Sequence, residues 1–182
     1  MNEFFRRFDE LVAVQPDHPA ITDDGLTLSY AELAAASDRV AILLTEAGLR
    51  PGAMVGYLGE AGLPRLVSLT ASLKTGTIFV PMDPREPLSV VKELAEHAQI
   101  EAVLIDTAAV RPMAEALGVP IIGLPQDWKA LGEVPRFDPV AMPDGAVAYV
   151  RYTSGSTGRP KGIPLSRGYE WHNTQITAEA FG

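Results

Sequence analysis

Short apolar runs alternate with amphipathic stretches between Gly52 and Leu124, and this alternation constrains the fold more than any other feature of the sequence. Runs of four or five apolar residues, separated by segments of helical periodicity, are typical of parallel strands buried on both faces. We therefore expect an α/β fold with an open, mainly parallel sheet flanked by helices. The strand candidates are residues 54–58, 78–82, 102–105 and 121–124, and the helix candidates are residues 64–74, 87–98 and 112–117.

The first fifty residues predict a helix, a short hairpin and a second helix. Aromatic and aliphatic residues recur at helical spacing in the first dozen positions, which indicates an amphipathic helix. The Asp24-Gly25 pair suits the positive φ angles of a tight hairpin turn. Ser29 followed by Glu32 forms a capping-box pattern, and Gly48 marks the end of the helix that it opens.

A last strand over residues 146–152 continues directly into a loop rich in glycine and hydroxyl side chains. Residues 153–162 contain three glycines, four serine or threonine residues and one lysine, Lys161. Backbone N–H groups of such a loop approach an anion closely because few Cβ atoms stand in the way. A flexible linker seldom continues a strand without a break and seldom carries Pro-Lys-Gly, so we interpret the loop as a phosphate-binding site.

The spacing within this loop differs from that of the most common phosphate loop, which requires Gly-Lys-Ser/Thr at the start of a helix. Five residues separate Gly155 from Lys161, Gly162 stands where the magnesium-binding hydroxyl would be, and Pro164 delays any helix to about Ser166. A general NTPase of that class is therefore excluded. Ser166 is predicted to cap a last helix that carries Trp171.

The run from Tyr152 to Gly162, YTSGSTGRPKG, resembles the phosphate-loop signature of the adenylate-forming superfamily. This superfamily includes acyl-CoA synthetases, luciferases and the adenylation domains of nonribosomal peptide synthetases. Two further stretches, residues 28–33 and 73–84, match the family in the same order and at similar intervals. The sequence VPMDP at residues 80–84 is more similar to the amino-acid-activating branch than to the acyl-CoA branch.

The resemblance implies an ATP-dependent ligase that works in two steps. A carboxylic acid, in this branch an amino acid, attacks the α-phosphorus of Mg²⁺-bound ATP to give an acyl-adenylate and pyrophosphate. The thiol of phosphopantetheine on a carrier protein, or of CoA, then takes the acyl group. By position in the motif, the residues implied to enclose the β- and γ-phosphates are Thr153, Ser154, Gly155, Ser156, Thr157, Gly158 and Lys161.

The resemblance extends over residues 1–182, which correspond to the N-terminal part of the family's large domain. The motifs for adenine, ribose, magnesium and the acid substrate, and the C-terminal lid domain, are not found in this sequence. We therefore expect an incomplete enzyme that is inactive alone. Two positions depart from the family pattern: Arg151 replaces an apolar residue and either reaches solvent or lines the cleft, and Arg167 replaces a common histidine after the loop.

Two alternatives remain at this stage. The chain resembles, less closely, the corresponding part of an acyl-CoA synthetase. It could also be a non-catalytic interaction or assembly module that docks a complementary chain, such as the missing C-terminal portion.

The composition indicates which partners and which cellular location to expect. The net charge is −8 and the 15 basic residues are scattered, so we expect no nucleic-acid partner. No run approaches a membrane span and there is no cysteine, which favours a cytoplasmic protein. Surface or turn positions are the expected explanation for the histidines and for the aspartates near strand ends, namely His18, His97, His172, Asp83, Asp106 and Asp144.

Overall fold

The computed structural model describes residues 3–154, 160–169 and 172. Five helices and eight strands lie wholly within these residues, with a short 3₁₀ turn at Ala108–Val110, and residues 167–169 are helical as well. In chain order they are α1 (Glu3–Val14), β1 (Pro19–Asp23), β2 (Leu26–Ser29), α2 (Tyr30–Glu46), β3 (Met54–Leu58), α3 (Leu63–Thr75), β4 (Ile78–Met82), α4 (Leu88–Ala98), β5 (Ala102–Ile105), α5 (Arg111–Glu115), β6 (Ile121–Gly123), β7 (Val147–Ser154) and β8 (Pro160–Ser166).

Six strands form the main sheet in the order β6-β5-β3-β4-β7-β8. All neighbouring pairs are parallel except β7 and β8, which are antiparallel. The predicted fold class, a mainly parallel sheet flanked by helices with an N-terminal hairpin, is therefore confirmed. Because β3, β4, β5 and β7 run in the same direction, their carboxyl ends lie at one edge of the sheet.

Alternate residues of the central strands supply two hydrophobic clusters, as the two-residue period of a strand requires. One cluster contains the rings of Tyr57, Phe79 and Tyr149 together with apolar residues of α1, α2 and α3. The rings stack in a row, with centroids 5.8 Å apart at both Tyr57–Phe79 and Phe79–Tyr149. The other cluster joins Leu58 and Val150 to α4 and α5.

The N-terminal elements follow the predicted turn and cap. Asp24 has φ 44° and Gly25 has φ 79°, which are the left-handed values expected of an Asp-Gly hairpin turn. The Glu32 amide donates to the Ser29 hydroxyl at 3.3 Å, and the Ser29 amide donates to the Glu32 carboxylate at 2.8 Å. This capping box satisfies two N–H groups that the helix leaves unpaired.

The second family-like stretch, residues 73–84, begins with a buried ion pair. Lys74, 4% exposed at the end of α3, donates to Asp38 of α2 at 2.5 Å. Burial raises the pKa of the Asp38 carboxyl and lowers that of the Lys74 ammonium, while their mutual attraction opposes both shifts. Gly76 then ends the helix with φ 79°. The lysine of this stretch therefore joins two helices.

The segment between β6 and β7 has no regular structure of its own and contacts α1, α2 and α3. Trp128 is 6% exposed and belongs to the first hydrophobic cluster, so it anchors the segment by packing. Lys129 pairs with Glu32, Arg136 pairs with Asp9, and the Val140 amide donates to the Lys74 carbonyl. These contacts hold the segment against α2, α1 and α3 in turn.

Among the residues described, none of the helices is both long and apolar enough to cross a membrane.

Candidate functional site

The predicted phosphate-binding residues flank the turn between β7 and β8. Ser154 pairs with Pro160 and Thr153 pairs with Lys161 at the ends of the two strands. Gly155, Ser156, Thr157 and Gly158 lie outside the described residues, in the five-residue connection from Ser154 to Pro160. The strand pair thus brings together the first and the last members of the predicted site.

The structure corrects the boundary of the predicted loop. Thr153 and Ser154 belong to β7, and residues 160–166, for which the sequence pattern predicts no strand, form β8. Gly162 and Pro164 obscured this strand because both are unfavourable in a sheet interior. A proline is tolerated here because β8 is at the edge of the sheet and pairs with β7 on one side only. A missing N–H therefore breaks no hydrogen bond to a second neighbouring strand.

The carboxyl end of β7 and the start of β8 lie at the carboxyl edge of the parallel strands. Tyr149 of β7 is level with Phe79 of β4, so β7 extends two residues beyond Met82, the last residue of β4. Ligands of open α/β sheets bind at this edge, outside the carboxyl ends of the strands. The predicted site therefore has the position that an α/β fold gives to a ligand.

Thr153 and Lys161 are suited to contact an anion. Directly paired residues of antiparallel strands place their Cβ atoms on the same face, about 4.5–5.5 Å apart. Both side chains are exposed, and within the described part of the chain Lys161 forms no ion pair. A hydroxyl and an uncompensated ammonium thus stand beside the glycine-rich connection, a donor set that fits the phosphates of a nucleotide.

Tyr152, the first residue of the matched motif, anchors the end of β7 to α4. Its hydroxyl lies 2.8 Å from Nδ1 of His97, and the two rings meet edge to face with centroids 5.6 Å apart. Burial raises the pKa of the Tyr152 hydroxyl. The ring covers Gly162 on β8, where an added Cβ would lie 3.0 Å from Tyr152 Cζ and 3.1 Å from Val150 Cγ1.

Sequence reasoning gave His97 no role, and it missed this contact. Because side chains alternate between the two faces of a strand, the sequence could have predicted that Tyr152 lies on the same face of the sheet as Val150, which packs with α4. No signal in the sequence indicates which residue of α4 meets it, because the two residues are 55 positions apart. The other histidines, His18 and His172, are exposed, as expected.

The three aspartates near strand ends do not form a metal site. Asp83 accepts hydrogen bonds from the Arg85 amide and guanidinium, and Asp106 accepts one from the Tyr57 hydroxyl at 3.0 Å. The main-chain carbonyl of Asp144 accepts from the Gly168 amide. In the parts of the chain that the structure covers, no group of three or more His, Cys, Asp or Glu side chains is placed to hold a metal ion.

The two arginines that depart from the family pattern lie at opposite ends of β7. Arg151 is exposed near the carboxyl end, with its guanidinium carbon 6.0 Å from the Tyr149 ring centroid, and it also lines a cavity there. Arg167 is 2% exposed and donates to the Leu73 carbonyl at 2.8 Å. Leu73 lies in the last turn of α3, and a positive charge there stabilises the helix because the C-terminal end of the helix dipole is negative. The Arg167 amide donates to the Ala146 carbonyl, just before β7 begins.

The Ser166 hydroxyl accepts a hydrogen bond from the Tyr169 amide, as the predicted helix cap requires. Trp171, which was predicted to lie in the helix that follows, is outside the described residues.

Known proteins are similar to this chain in sequence and in fold. Gramicidin S synthase 2 of Brevibacillus brevis is 34% identical over 162 residues, which are 89% of this chain and 4% of that protein. Syringomycin synthase SyrB1 of Pseudomonas syringae pv. syringae is 33% identical over 172 residues, which are 92% of this chain and 27% of that protein. The crystal structure of the nonribosomal peptide synthetase FmoA3 in its α-methyl-L-serine-AMP bound form matches with a TM-score of 0.75 at 31% identity, covering 89% of this chain and 18% of that one.

This chain therefore spans only a small part of the length of each of these proteins. The family described as AMP-binding enzyme matches residues 8–180, almost the whole sequence. Together with the parallel sheet and the strand pair that carries the signature, this match shows that the chain belongs to the AMP-binding family of adenylate-forming enzymes.

Proposed function

We propose that this chain supplies the ATP-phosphate-binding part of an adenylate-forming ligase that activates a carboxylic acid as its acyl-adenylate. The observation that carries the proposal is the pairing of Thr153 with Lys161 at the carboxyl edge of the sheet. The connection between them has the sequence Gly-Ser-Thr-Gly-Arg, preceded by Ser154. Backbone N–H groups, hydroxyls and one ammonium would thus converge on the β- and γ-phosphates.

The proposed reaction makes charge stabilisation the main task of these residues. The acid's carboxylate oxygen forms a bond to the α-phosphorus of ATP, and the bond from that phosphorus to the bridging oxygen breaks. The electron pair leaves on pyrophosphate, so negative charge builds up on the group that Lys161 and the neighbouring donors hold. Donors placed before the reaction stabilise this charge without further reorganisation. Mg²⁺ would enter with ATP, as part of the substrate complex.

An amino acid is the substrate that we propose. The named relatives are peptide synthetases, and FmoA3 was solved with an aminoacyl-adenylate, α-methyl-L-serine-AMP. The VPMDP sequence of β4 and the turn after it favours the same branch. In a second step the phosphopantetheine thiol of a carrier protein would attack the acyl carbon and release AMP, leaving a thioester. An acyl-CoA synthetase, with CoA as the acceptor, is the alternative within the family.

The sequence would form the N-terminal part of the large domain in such an enzyme. The relatives are several times longer than this chain, which supports a division of the site between these residues and others. We propose that residues 1–182 hold the phosphates, and that the groups for adenosine and the acid are contributed from outside them. A cytoplasmic location would suit a ligase that consumes ATP.

Replacement of Lys161 tests the proposal. The Lys161→Ala chain should bind pyrophosphate and Mg²⁺-ATP about tenfold or more weakly, since a hydrogen bond to a charged group is worth roughly 1.5–3 kcal/mol. Its thermal stability should hardly change, because an exposed surface substitution usually stays within about 0.5 kcal/mol. Isothermal titration calorimetry gives the affinity, and a thermal melt gives the stability.

Lys92→Ala is the matched control, because Lys92 is an exposed lysine on α4 outside the strand pair. Equal weakening by Lys92→Ala and Lys161→Ala would show non-specific attraction of the anion. A large loss of thermal stability in Lys161→Ala alone would show that the lysine is structural. Either result would contradict a phosphate-binding role.

A further inference from the structure

A cavity of about 330 Å³ opens at the carboxyl edge of the sheet, between the ends of β3, β4 and β7. The turn after β3 forms one wall, and Pro81 and Met82 at the end of β4 form another. Three guanidinium groups from different elements converge on it, those of Arg65, Arg85 and Arg151. The described residues of the signature strand pair that line it belong to β7, and Lys161 is not among the lining residues.

Two of these arginines meet at one phenol. Arg65 of α3 donates from Nη2 to the Tyr149 hydroxyl at 3.1 Å, and the Arg151 guanidinium lies 6.0 Å from the centroid of the same ring. In the part of the chain that the structure describes, neither arginine forms an ion pair. Two positive groups are thus held close together without a paired carboxylate.

The acidic residues of the cavity do not compensate both charges. Asp83 is engaged by Arg85 through its amide, Nε and Nη2, at 2.7–3.2 Å. The Arg85 guanidinium lowers the pKa of the Asp83 carboxyl to about 2, and Arg65 adds to this shift. Glu60 is the second acid of the lining, and it is exposed. Among the described lining residues, two arginines then face one glutamate, because Asp83 and Arg85 neutralise each other.

The two guanidinium groups and the Tyr149 hydroxyl still have hydrogen-bond donors to offer, and these donors are suited to bind an oxyanion. A guanidinium presents its N–H groups as a planar fork that matches a carboxylate or a phosphate. The Tyr149 hydroxyl accepts from Arg65, which leaves its own proton available to donate. An anion between the two arginines would also relieve their mutual repulsion. Pro81 and Met82 offer an apolar surface beside these donors.

We propose that this cavity is a second oxyanion-binding site, which takes the carboxylate or phosphate group of a small molecule between Arg65, Arg151 and the Tyr149 hydroxyl. Neither Thr153 nor Lys161 is among its described lining residues, and Arg151 precedes Thr153 by two residues, or about 7 Å of strand. The volume leaves room for a small organic body against Pro81 and Met82. The site stands on its own geometry and does not depend on the proposed adenylation.

The test uses the 182-residue chain in the Lys161→Gln background, which removes the lysine of the phosphate-binding turn. Inorganic phosphate and succinate are the probes, titrated by calorimetry or followed by backbone amide shifts. We expect saturable binding that Arg151→Gln weakens about tenfold. Arg111→Gln, which replaces an exposed arginine of α5 away from the cavity, should leave the affinity unchanged. Tighter binding of phosphate would identify a phosphate-bearing ligand, and tighter binding of succinate a carboxylate.

Arg151 is exposed, so its replacement should not disturb folding, and a thermal melt checks this. Arg65→Lys is a second variant, because it keeps the charge but loses the fork; its affinity should fall between those of the Arg65→Gln chain and the chain with Arg65 intact. Absence of saturable binding of either probe would overturn the proposal. Equal affinities in the Arg151→Gln and Arg111→Gln chains would overturn it as well.

Discussion

Tyr152 links the two strands of the candidate site to α4. Its hydroxyl reaches His97 on α4, and its ring lies over Gly162 on the partner strand. The glycine matters here for space and not for its backbone conformation, because its φ is not in the left-handed region and an added Cβ would lie 3.0 Å from Cζ of the ring, which would have to shift. The motif's tyrosine and its last glycine therefore act as a packed pair.

Gly162→Ala should destabilise the chain by about 1–3 kcal/mol, the usual result of forcing an extra methyl group into packed surroundings. Displacement of Tyr152 should also break its hydrogen bond to His97. Urea-induced unfolding measures the free-energy change. Gly123→Ala is the control, since Gly123 on β6 has no heavy atom within 4 Å of an added Cβ and has no positive φ. Similar free-energy changes for both substitutions would disprove the packing role of Gly162.

Local patterns in the sequence select the residues proposed to bind phosphate, but not the residues that support them. Thr153 and Lys161 are found in one continuous motif, so the sequence suffices to select them. Arg65 and Tyr149 meet across 84 positions, and His97 and Tyr152 across 55. Such contacts depend on how α3 and α4 pack on the sheet, and a single sequence carries no direct signal of that packing.

At the scale of elements, the helices and buried strands were more predictable than the edge strand. Caps and turn residues such as Ser29, Asp24 and Gly76 have local physical causes, so they place element ends within a residue or two. β8 was missed because its proline and glycine lower the strand propensity. Its partner β7 determines its conformation, through antiparallel pairing from Val147 to Ser154.

The start of α2 should make stability depend on pH. Hydrogen bonds from Lys129 and from the Ser29 amide lower the pKa of Glu32 below its ordinary value of 4.5. A carboxyl group with a lowered pKa in the folded state contributes stability above the unfolded-state pKa and loses that contribution as the pH falls through the folded-state pKa. Glu32→Gln keeps an acceptor for the cap but removes the charge. It should therefore destabilise the chain at neutral pH and have little effect in acid well below 4.5.

Unfolding curves in denaturant at neutral and at acidic pH check this expectation. Glu93→Gln serves as the control, because Glu93 is an exposed glutamate in α4, away from any helix cap. A difference between the Glu32→Gln chain and the unsubstituted chain that stays constant at all pH values would show that the carboxylate charge contributes nothing.

At the scale of the whole molecule, the sequence predicted the fold class but not the strand order. The alternation of strands and helices indicates a parallel sheet, since parallel neighbours need a crossover. This alternation does not predict that the neighbour of β5 is β3 and not β4, or that β7 lies between β4 and β8. That order depends on the packing of all the helices on both faces. It is what brings the carboxyl ends of β3, β4 and β7 together.

The 182-residue chain alone should not catalyse amino-acid-dependent exchange of pyrophosphate into ATP. Holding two reactants at attack distance contributes up to roughly 7–11 kcal/mol, and we propose that the groups for adenosine and the acid come from other residues. Exchange assays with a panel of amino acids measure this directly. Adding the remaining part of a related enzyme as a separate chain should restore activity if the two associate. Exchange above background by the purified chain alone would contradict the division of the site that we propose.

The central claim is that the turn between β7 and β8 binds the phosphates of ATP, and backbone amide NMR during titration with pyrophosphate tests it most directly. We predict saturable shifts of the amides of Thr153, Ser154, residues 155–158 and Lys161, with the affinity reduced about tenfold in the Lys161→Ala chain. Amides on β5 and β6, at the far side of the sheet, should not move. Shifts confined to other regions, or none at saturating pyrophosphate, would contradict the claim.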